Sequence, residues 1–150
     1  RFRVEMGVRS DPPGDHVTID DRDPGFYATP FFWVGHRFCR CPKGRRGHGG
    51  FYLTNGSRPT AGEFARFTPD LKAGKYAISF SEATPFCPGT EFDVRVRHRS
   101  GETTVRMRPE NSRQIGTFAF DEGATGFVEI HAGGSKGLVI ADAVVFEATR

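Results

Sequence analysis

Residues 92–107 alternate between apolar and polar with a period of two. Phe92, Val94, Val96 and His98 fall on one side of the chain, and Asp93, Arg95, Arg97 and Arg99 on the other. Ser100-Gly101-Glu102 then turns the chain, and Thr103, Val105 and Met107 resume the apolar side. Successive side chains of a strand point to opposite faces, so this pattern predicts a hairpin with one buried face. Similar short signals recur at Val17-Thr18-Ile19-Asp20, Glu63-Phe64-Ala65-Arg66-Phe67-Thr68, Lys75-Tyr76-Ala77-Ile78-Ser79-Phe80, Ile115-Gly116-Thr117-Phe118-Ala119-Phe120 and Gly126-Phe127-Val128-Glu129-Ile130. A closing strand is expected over residues 137–146. No segment offers a helix of ten residues, and nineteen Gly and ten Pro supply the breaks. Many short strands between turns predict an all-β, antiparallel β-sandwich, jelly-roll-like in arrangement.

At 150 residues the chain is read as one domain. Ser10-Asp11-Pro12-Pro13-Gly14-Asp15 is a turn-rich break, so residues 1–16 are expected to be a linker or N-terminal extension and residues 17–150 the sandwich. Residues 35–62 read as a long Gly-rich, basic loop. No stretch approaches the ~20 apolar residues that cross a bilayer, so no membrane partner is expected. The chain opens at Arg1 and shows no signal peptide, which is read as a mature or excised fragment.

The net charge is +3 and the pI about 9.0. This weakly favours anionic partners, but no recognised motif accompanies the basic residues and nucleic acid is not expected. The cations cluster: Arg37, Arg40, Lys43, Arg45 and Arg46 have no acid among them, and Arg95, Arg97, Arg99, Arg106 and Arg108 have only Glu102. Of three cysteines, Cys39 and Cys41 stand too close for an easy bridge to each other. A disulfide from either to Cys87 is the leading expectation. Free thiols and a zinc site completed by His36 or His48 remain alternatives, although Cys-x-Cys does not match usual zinc spacing.

Five motifs in order resemble a known family. Asp20-Asp21 through Gly25-Phe26 is similar to its opening step. Phe67-Thr68-Pro69-Asp70-Leu71 with Ala73-Gly74-Lys75-Tyr76 is similar to the next. Val96-Arg97-His98 with Gly101, Thr103, Thr104 and Val105 resembles its hairpin. Ile115-Gly116-Thr117-Phe118-Ala119-Phe120 with Gly123, Gly126 and Val128 follows, and Val139-Ile140-Ala141-Asp142-Ala143-Val144-Val145-Phe146 resembles its closing strand. Over residues 17–147 the chain thus resembles the golvesin and xanthan lyase C-terminal domain family. That resemblance implies a β-sandwich accessory module of secreted bacterial proteins, thought to bind carbohydrate and not known to be catalytic. The chain departs from the pattern at Pro109-Glu110-Asn111-Ser112-Arg113-Gln114, which is short and lacks a Trp, and at the cysteine-containing loop of residues 37–50.

Three groups of residues invite a binding role. Asp20, Asp21 and Asp23 offer several oxygens in one turn, and Asp142 is expected to adjoin them from the last strand. Such a set suits calcium, and the alternative is a set of turn caps and arginine partners. Trp33, His36, Arg37, Arg45, Arg46, His48 and Tyr52 lie in or beside the long loop. Aromatic faces there would stack on sugar rings and arginine forks would read carboxylates; the alternatives are a core Trp33 and a solvated loop. Arg97 and Arg106 belong to the hairpin face, where arginines are expected opposite arginines unless acids or a bound anion intervene.

No nucleophile motif or phosphate loop is present, and the acidic turn shows no second carboxylate across a cleft. The expected function is a non-catalytic carbohydrate-binding module of a secreted protein that recognises an acidic polysaccharide. Alternatives are a structural domain packing on a neighbouring catalytic domain, and a polysaccharide-degrading enzyme. No cofactor beyond a structural calcium is expected.

Overall fold

A computed structural model describes residues 16–36, 39–40, 43–45 and 50–149, and the side chains of 16–35 and 50–149. Fourteen strands and no α-helix occur among the described residues. In chain order they are β1 (His16–Asp20), β2 (Phe26–Ala28), β3 (Val34–His36), β4 (Cys39–Arg40), β5 (Lys43–Arg45), β6 (Tyr52–Thr54) and β7 (Phe64–Phe67). β8 (Gly74–Phe80), β9 (Glu91–His98), β10 (Gly101–Met107), β11 (Gln114–Phe120), β12 (Phe127–Lys136), β13 (Ile140–Ala141) and β14 (Ala143–Ala148) follow. A four-stranded sheet in the order β1-β14-β8-β11 and a five-stranded sheet in the order β10-β9-β12-β7-β2 form the sandwich. Every pairing is antiparallel. Two small sheets, β13-β6-β3 and β4-β5, are added to it.

The alternation read from sequence sets the core. Tyr76, Ile78, Phe80, Val144 and Phe146 face inward from one sheet, and Phe67, Phe92, Val94, Val96, Val128 and Ile130 from the other. Phe80 meets Phe92 edge-on at 5.7 Å across the sheets, and Phe86 packs on both, at 5.2 and 5.8 Å. Aromatic pairs of this kind add roughly 0.5–1.5 kcal/mol each beyond burial, so the buried Phe compensate for a modest apolar content.

Two expectations are corrected. Residues 35–62 are not one loop: β3 to β6 lie there, each two or three residues long, too short to show a period in the sequence. The closing strand is not continuous either. Residues 140–141 pair with β6, residues 143–148 pair with β1 and β8, and Asp142 stands where the chain changes sheets.

The N-terminal turn explains its own residues. Asp23 Oδ2 accepts from the Asp20 amide at 2.9 Å, and Asp20 Oδ1 accepts from the Arg22 amide at 2.8 Å. The Gly25 carbonyl accepts from the Thr68 amide at 2.8 Å. A Cβ on Gly25 would run into the Thr68 carbonyl, so this approach requires glycine.

Candidate carbohydrate-binding face

The two outer faces of the sandwich differ in kind. On the four-stranded sheet, Thr18 stands opposite Val145, and Val145 opposite Ser79. Ala77 stands between Thr117 and Glu147 in the same sheet, so its middle is small apart from one exposed acid. On the five-stranded sheet the outward positions carry rings and charges. Tyr27 stands opposite Arg66, Arg66 opposite Glu129, and Glu129 opposite Arg95. One row to one side, Phe64 faces His131; on the other, Phe127 faces Arg97.

Arg66 is the centre of this face. Its guanidinium lies 5.0 Å from the Phe64 ring centre, 4.7 Å from Phe127 and 6.0 Å from Tyr27. Cations at such distances are attracted by the negative ring face. Arg66 also donates to Glu129 at 2.7 Å, and Glu129 meets His131 Nε2 at 2.9 Å. Glu129 is buried, and a buried carboxylate requires such partners. The result is a fixed platform in which Tyr27 remains 48% exposed. An aromatic platform interleaved with guanidinium groups offers apolar ring faces to sugar C–H groups and donors to hydroxyl or carboxylate oxygens.

The hairpin register corrects the expectation of arginine opposite arginine. The two-residue turn Arg99-Ser100 pairs His98 with Gly101. Arg97 therefore faces Glu102, Arg95 faces Thr104, and Arg106 faces Asp93. Arg106 is held by Asp93 at 3.2 Å, Glu91 at 3.5 Å and the Gly134 carbonyl at 3.1 Å, which makes it a structural crosslink. Arg95 and Arg97 are held more loosely. They share one carboxylate, Glu102, at 3.8 and 3.7 Å, and are about half exposed. Beyond Arg97 the face runs into a pocket of about 280 Å³ that Arg97, Asp121, Thr125 and Gly126 help to line. Its acid, Asp121, is engaged by Arg99 at 3.0 Å.

The other sequence-predicted residues are placed as follows. Tyr52 is 1% exposed in the core, so it has no free face for a sugar, and its proposed contact role is withdrawn. Trp33 is half-buried against the core and edge-on to Phe32 at 5.4 Å. Its Nε1 donates to Thr29 Oγ1 and the Phe64 carbonyl, both at 3.2 Å. The side chains of His36, Arg37, Arg45, Arg46 and His48 lie outside the described residues, as do those of Cys39 and Cys41. Cys87 is buried.

The acidic turn does adjoin the last strands. The Asp21 amide donates to the Asp142 carbonyl at 2.9 Å, and Asp20 pairs with Ala143. The four acids do not converge as one ligand set. Asp20 and Asp23 are turned onto backbone amides, and no group of three or more His, Cys, Asp or Glu among the described residues could hold a metal. What remains is a carboxylate pair. Asp142, 1% exposed, accepts from Thr84 Oγ1 at 3.0 Å, and Asp21 Oδ2 is buried without a hydrogen-bond partner. Burial, then the charges of Asp142 and Asp20, push Asp21 from 3.8 up to about 7.

Sequence reading missed Tyr27, Phe64, Arg66, Phe127, Glu129 and His131. The outward positions of Arg66 and Glu129 were readable from the alternation. Their adjacency was not, because it depends on strand order.

No known family's sequence model matches the chain, and no curated protein matches it. Solved structures do. Part of a Paenibacillus xanthan lyase superposes with a TM-score of 0.77 at 25% identity, over 91% of this chain and 13% of that one. A catalytic domain of a GH87 α-1,3-glucanase superposes with a TM-score of 0.50 at 9% identity, over 91% of this chain and 28% of that one, and shares the fold. The CBM22-1 xylan-binding domain of Paenibacillus barcinonensis Xyn10C superposes more loosely, with a TM-score of 0.42 at 9% identity, over 94% of this chain and 100% of that one. The chain thus spans a small part of the lyase and glucanase it matches.

Proposed function

We propose that this chain is a non-catalytic carbohydrate-binding module of a secreted, polysaccharide-active protein, and that a glycan lies along the outer face of the five-stranded sheet. The observation that carries this reading is the platform of Tyr27, Phe64 and Phe127 around a guanidinium locked by Glu129. The similarity to a xanthan lyase supports a polysaccharide partner and a larger parent. A non-catalytic role is supported by the acids themselves. Glu129, Asp93, Glu91 and Glu102 on this face are all ion-paired, and Asp142 is buried away from a substrate.

The glycan is acidic in this reading. Two half-exposed guanidinium groups, Arg95 and Arg97, share the single Glu102 carboxylate, which leaves positive charge for a uronate or sulfate. A guanidinium fork matches either anion in two parallel hydrogen bonds. The small side chains of Thr18, Val145, Ser79, Ala77 and Thr117 on the outer face of the four-stranded sheet support a second role, packing against another part of the parent polypeptide.

Affinity electrophoresis through gels containing xanthan, polygalacturonate or a neutral glucan tests the reading. Retardation is expected to be stronger in the acidic gels and to weaken with salt, because the Debye length falls from ~10 Å at 0.1 M to ~3 Å at 1 M. Tyr27→Ala and Arg97→Ala are expected to weaken it. Loss of binding on Arg45→Ala with Arg46→Ala, but not on Tyr27→Ala or Arg97→Ala, would overturn the platform and move the site to the basic loop.

A further inference from the structure

We infer that Phe31 is a sugar-stacking residue, displayed on a strained turn at the end of the platform. The inference rests on the glycan-binding reading above. Two independent observations carry it, one of exposure and one of backbone.

The first is exposure. Phe31 is 105% exposed, more than in an extended peptide. It makes no ring contact among the described residues. A single exposed apolar side chain is ordinary. Here, however, the described residues have just three large exposed hydrophobic side chains, Tyr27, Phe31 and Val34, and all fall within one short segment. Tyr27 belongs to the platform.

The second is backbone. Phe31 has φ of 66°, in the left-handed region that Gly and Asn occupy without difficulty and bulky residues avoid. A turn of this shape is best served by Gly or Asn, so neither the turn nor the core accounts for an aromatic side chain there. Strain of this kind persists when the surroundings over-determine it, and it concentrates at ligand contacts. The surroundings do so here. On one side, the Thr29 amide donates to the Phe64 carbonyl at 3.0 Å. On the other, Phe32 is buried under the Arg58 guanidinium, 4.5 Å from its ring centre, and its carbonyl accepts from the same Arg58. Trp33 Nε1 donates back to the Phe64 carbonyl.

Both ends of the turn are therefore pinned to the first residue of β7, whose own ring forms part of the platform. Phe31 lies two residues beyond Thr29, so its Cα is within about 7.6 Å of Thr29 Cα. This puts the exposed Phe31 near the Phe64 end of β7. The ring has no polar handle, which suits the apolar C–H side of a pyranose. Three exposed side chains are few beside the roughly 800 Å² per partner that a stable protein interface buries. A glycan extending past Phe64 fits them better than a docked domain.

The test compares wild type with Phe31→Ala, Phe31→Gly and Phe31→Tyr in the xanthan, polygalacturonate and neutral-glucan gels, with thermal unfolding measured alongside. Phe31→Ala and Phe31→Gly are expected to raise the apparent Kd about two- to tenfold, the range of one aromatic stacking contact. Phe31→Gly is expected to leave the Tm unchanged or raised, because it removes strain and no packing. Phe31→Tyr is expected to retain binding. Wild-type affinity in Phe31→Gly, with affinity lost in Tyr27→Ala, would overturn this inference and leave the platform standing. A lowered Tm in Phe31→Gly would make the ring a structural contact and also overturn it. Wild type running freely in all three gels would remove the platform and Phe31 together.

Discussion

Asp21 makes the stability of this domain depend on pH, in a direction opposite to the usual acid unfolding. Its carboxyl is pushed from 3.8 to about 7 by burial, by Asp142 and by Asp20, and Arg22 offsets part of this. In the unfolded chain the group ionises at its ordinary value. Between about pH 4 and pH 7 the folded state therefore holds a proton that the unfolded state has lost, and stability must fall as pH rises through that window. The difference between 3.8 and about 7, at 1.36 kcal/mol per pH unit, is about 4 kcal/mol in full. Asp21 is only partly buried and solvent screens it, so about 2 kcal/mol is the expected loss. For a chain of this length that is a Tm change of roughly 4–8 °C. Urea unfolding of wild type and Asp21→Asn from pH 4 to pH 8 isolates the effect, because the two proteins differ in no other ionisable group. The difference between the two should open in favour of Asn as pH rises to about 7 and then level off. Calcium added at pH 8 gives a further discrimination: a cation held by Asp21 and Asp142 would stabilise wild type and not Asp21→Asn. A wild-type stability that is flat or rising from pH 5 to pH 7, with no divergence from Asp21→Asn, would refute the buried-pair argument.

Other outcomes follow from particular contacts. The bridge expected between Cys87 and either Cys39 or Cys41 predicts that alkylation without reductant labels one of the three cysteines and that prior reduction exposes all three. Three labelled thiols without reduction would exclude the bridge. Gly25→Ala should destabilise the domain by about 1–3 kcal/mol in urea unfolding, because the added methyl overlaps the Thr68 carbonyl and threatens a backbone hydrogen bond between the first turn and β7. An unchanged midpoint would show that the turn can give way.

The sandwich was legible in the sequence because its signal is local. The period of two at residues 92–107 identifies the inward face of β9 and β10 without reference to any other strand, and the same holds for β8, whereas a register shift between Gln114 and Gly116 breaks the period in β11. The junction of the acidic turn with the last strands was also legible. It follows from the general tendency of first and last strands to adjoin, and the Asp21 amide bonded to the Asp142 carbonyl realises it. The break at Asp142 was not legible. Residues 139–146 are apolar on both sides of the acid, and apolar residues buried on both faces give no period that could mark a change of sheet.

The binding face was hidden for a different reason. Alternation shows that Tyr27, Arg66, Phe127 and Arg97 point outward, but each lies in a different strand, and the spatial order β9-β12-β7-β2 runs against the order in sequence. Between Tyr27 and Phe127 the chain crosses both sheets before returning. In sequence the richest concentration of cations and rings is the loop after Trp33, and a reading by local density leads there. In space, the densest grouping among the described residues comes from strands far apart in sequence, joined by the Arg66–Glu129 ion pair. That pair is itself informative. A buried acid on an outward-facing strand position needs a cation directly across the ladder, and the register supplies only Arg66 and Arg95. Arg66 takes the role, and the rings around it exclude water from the contact. Arg95 is thereby left on the surface with Arg97 to share Glu102. The fold's requirement to neutralise one buried carboxylate therefore produces both the rigid aromatic platform and the loosely paired cations beside it.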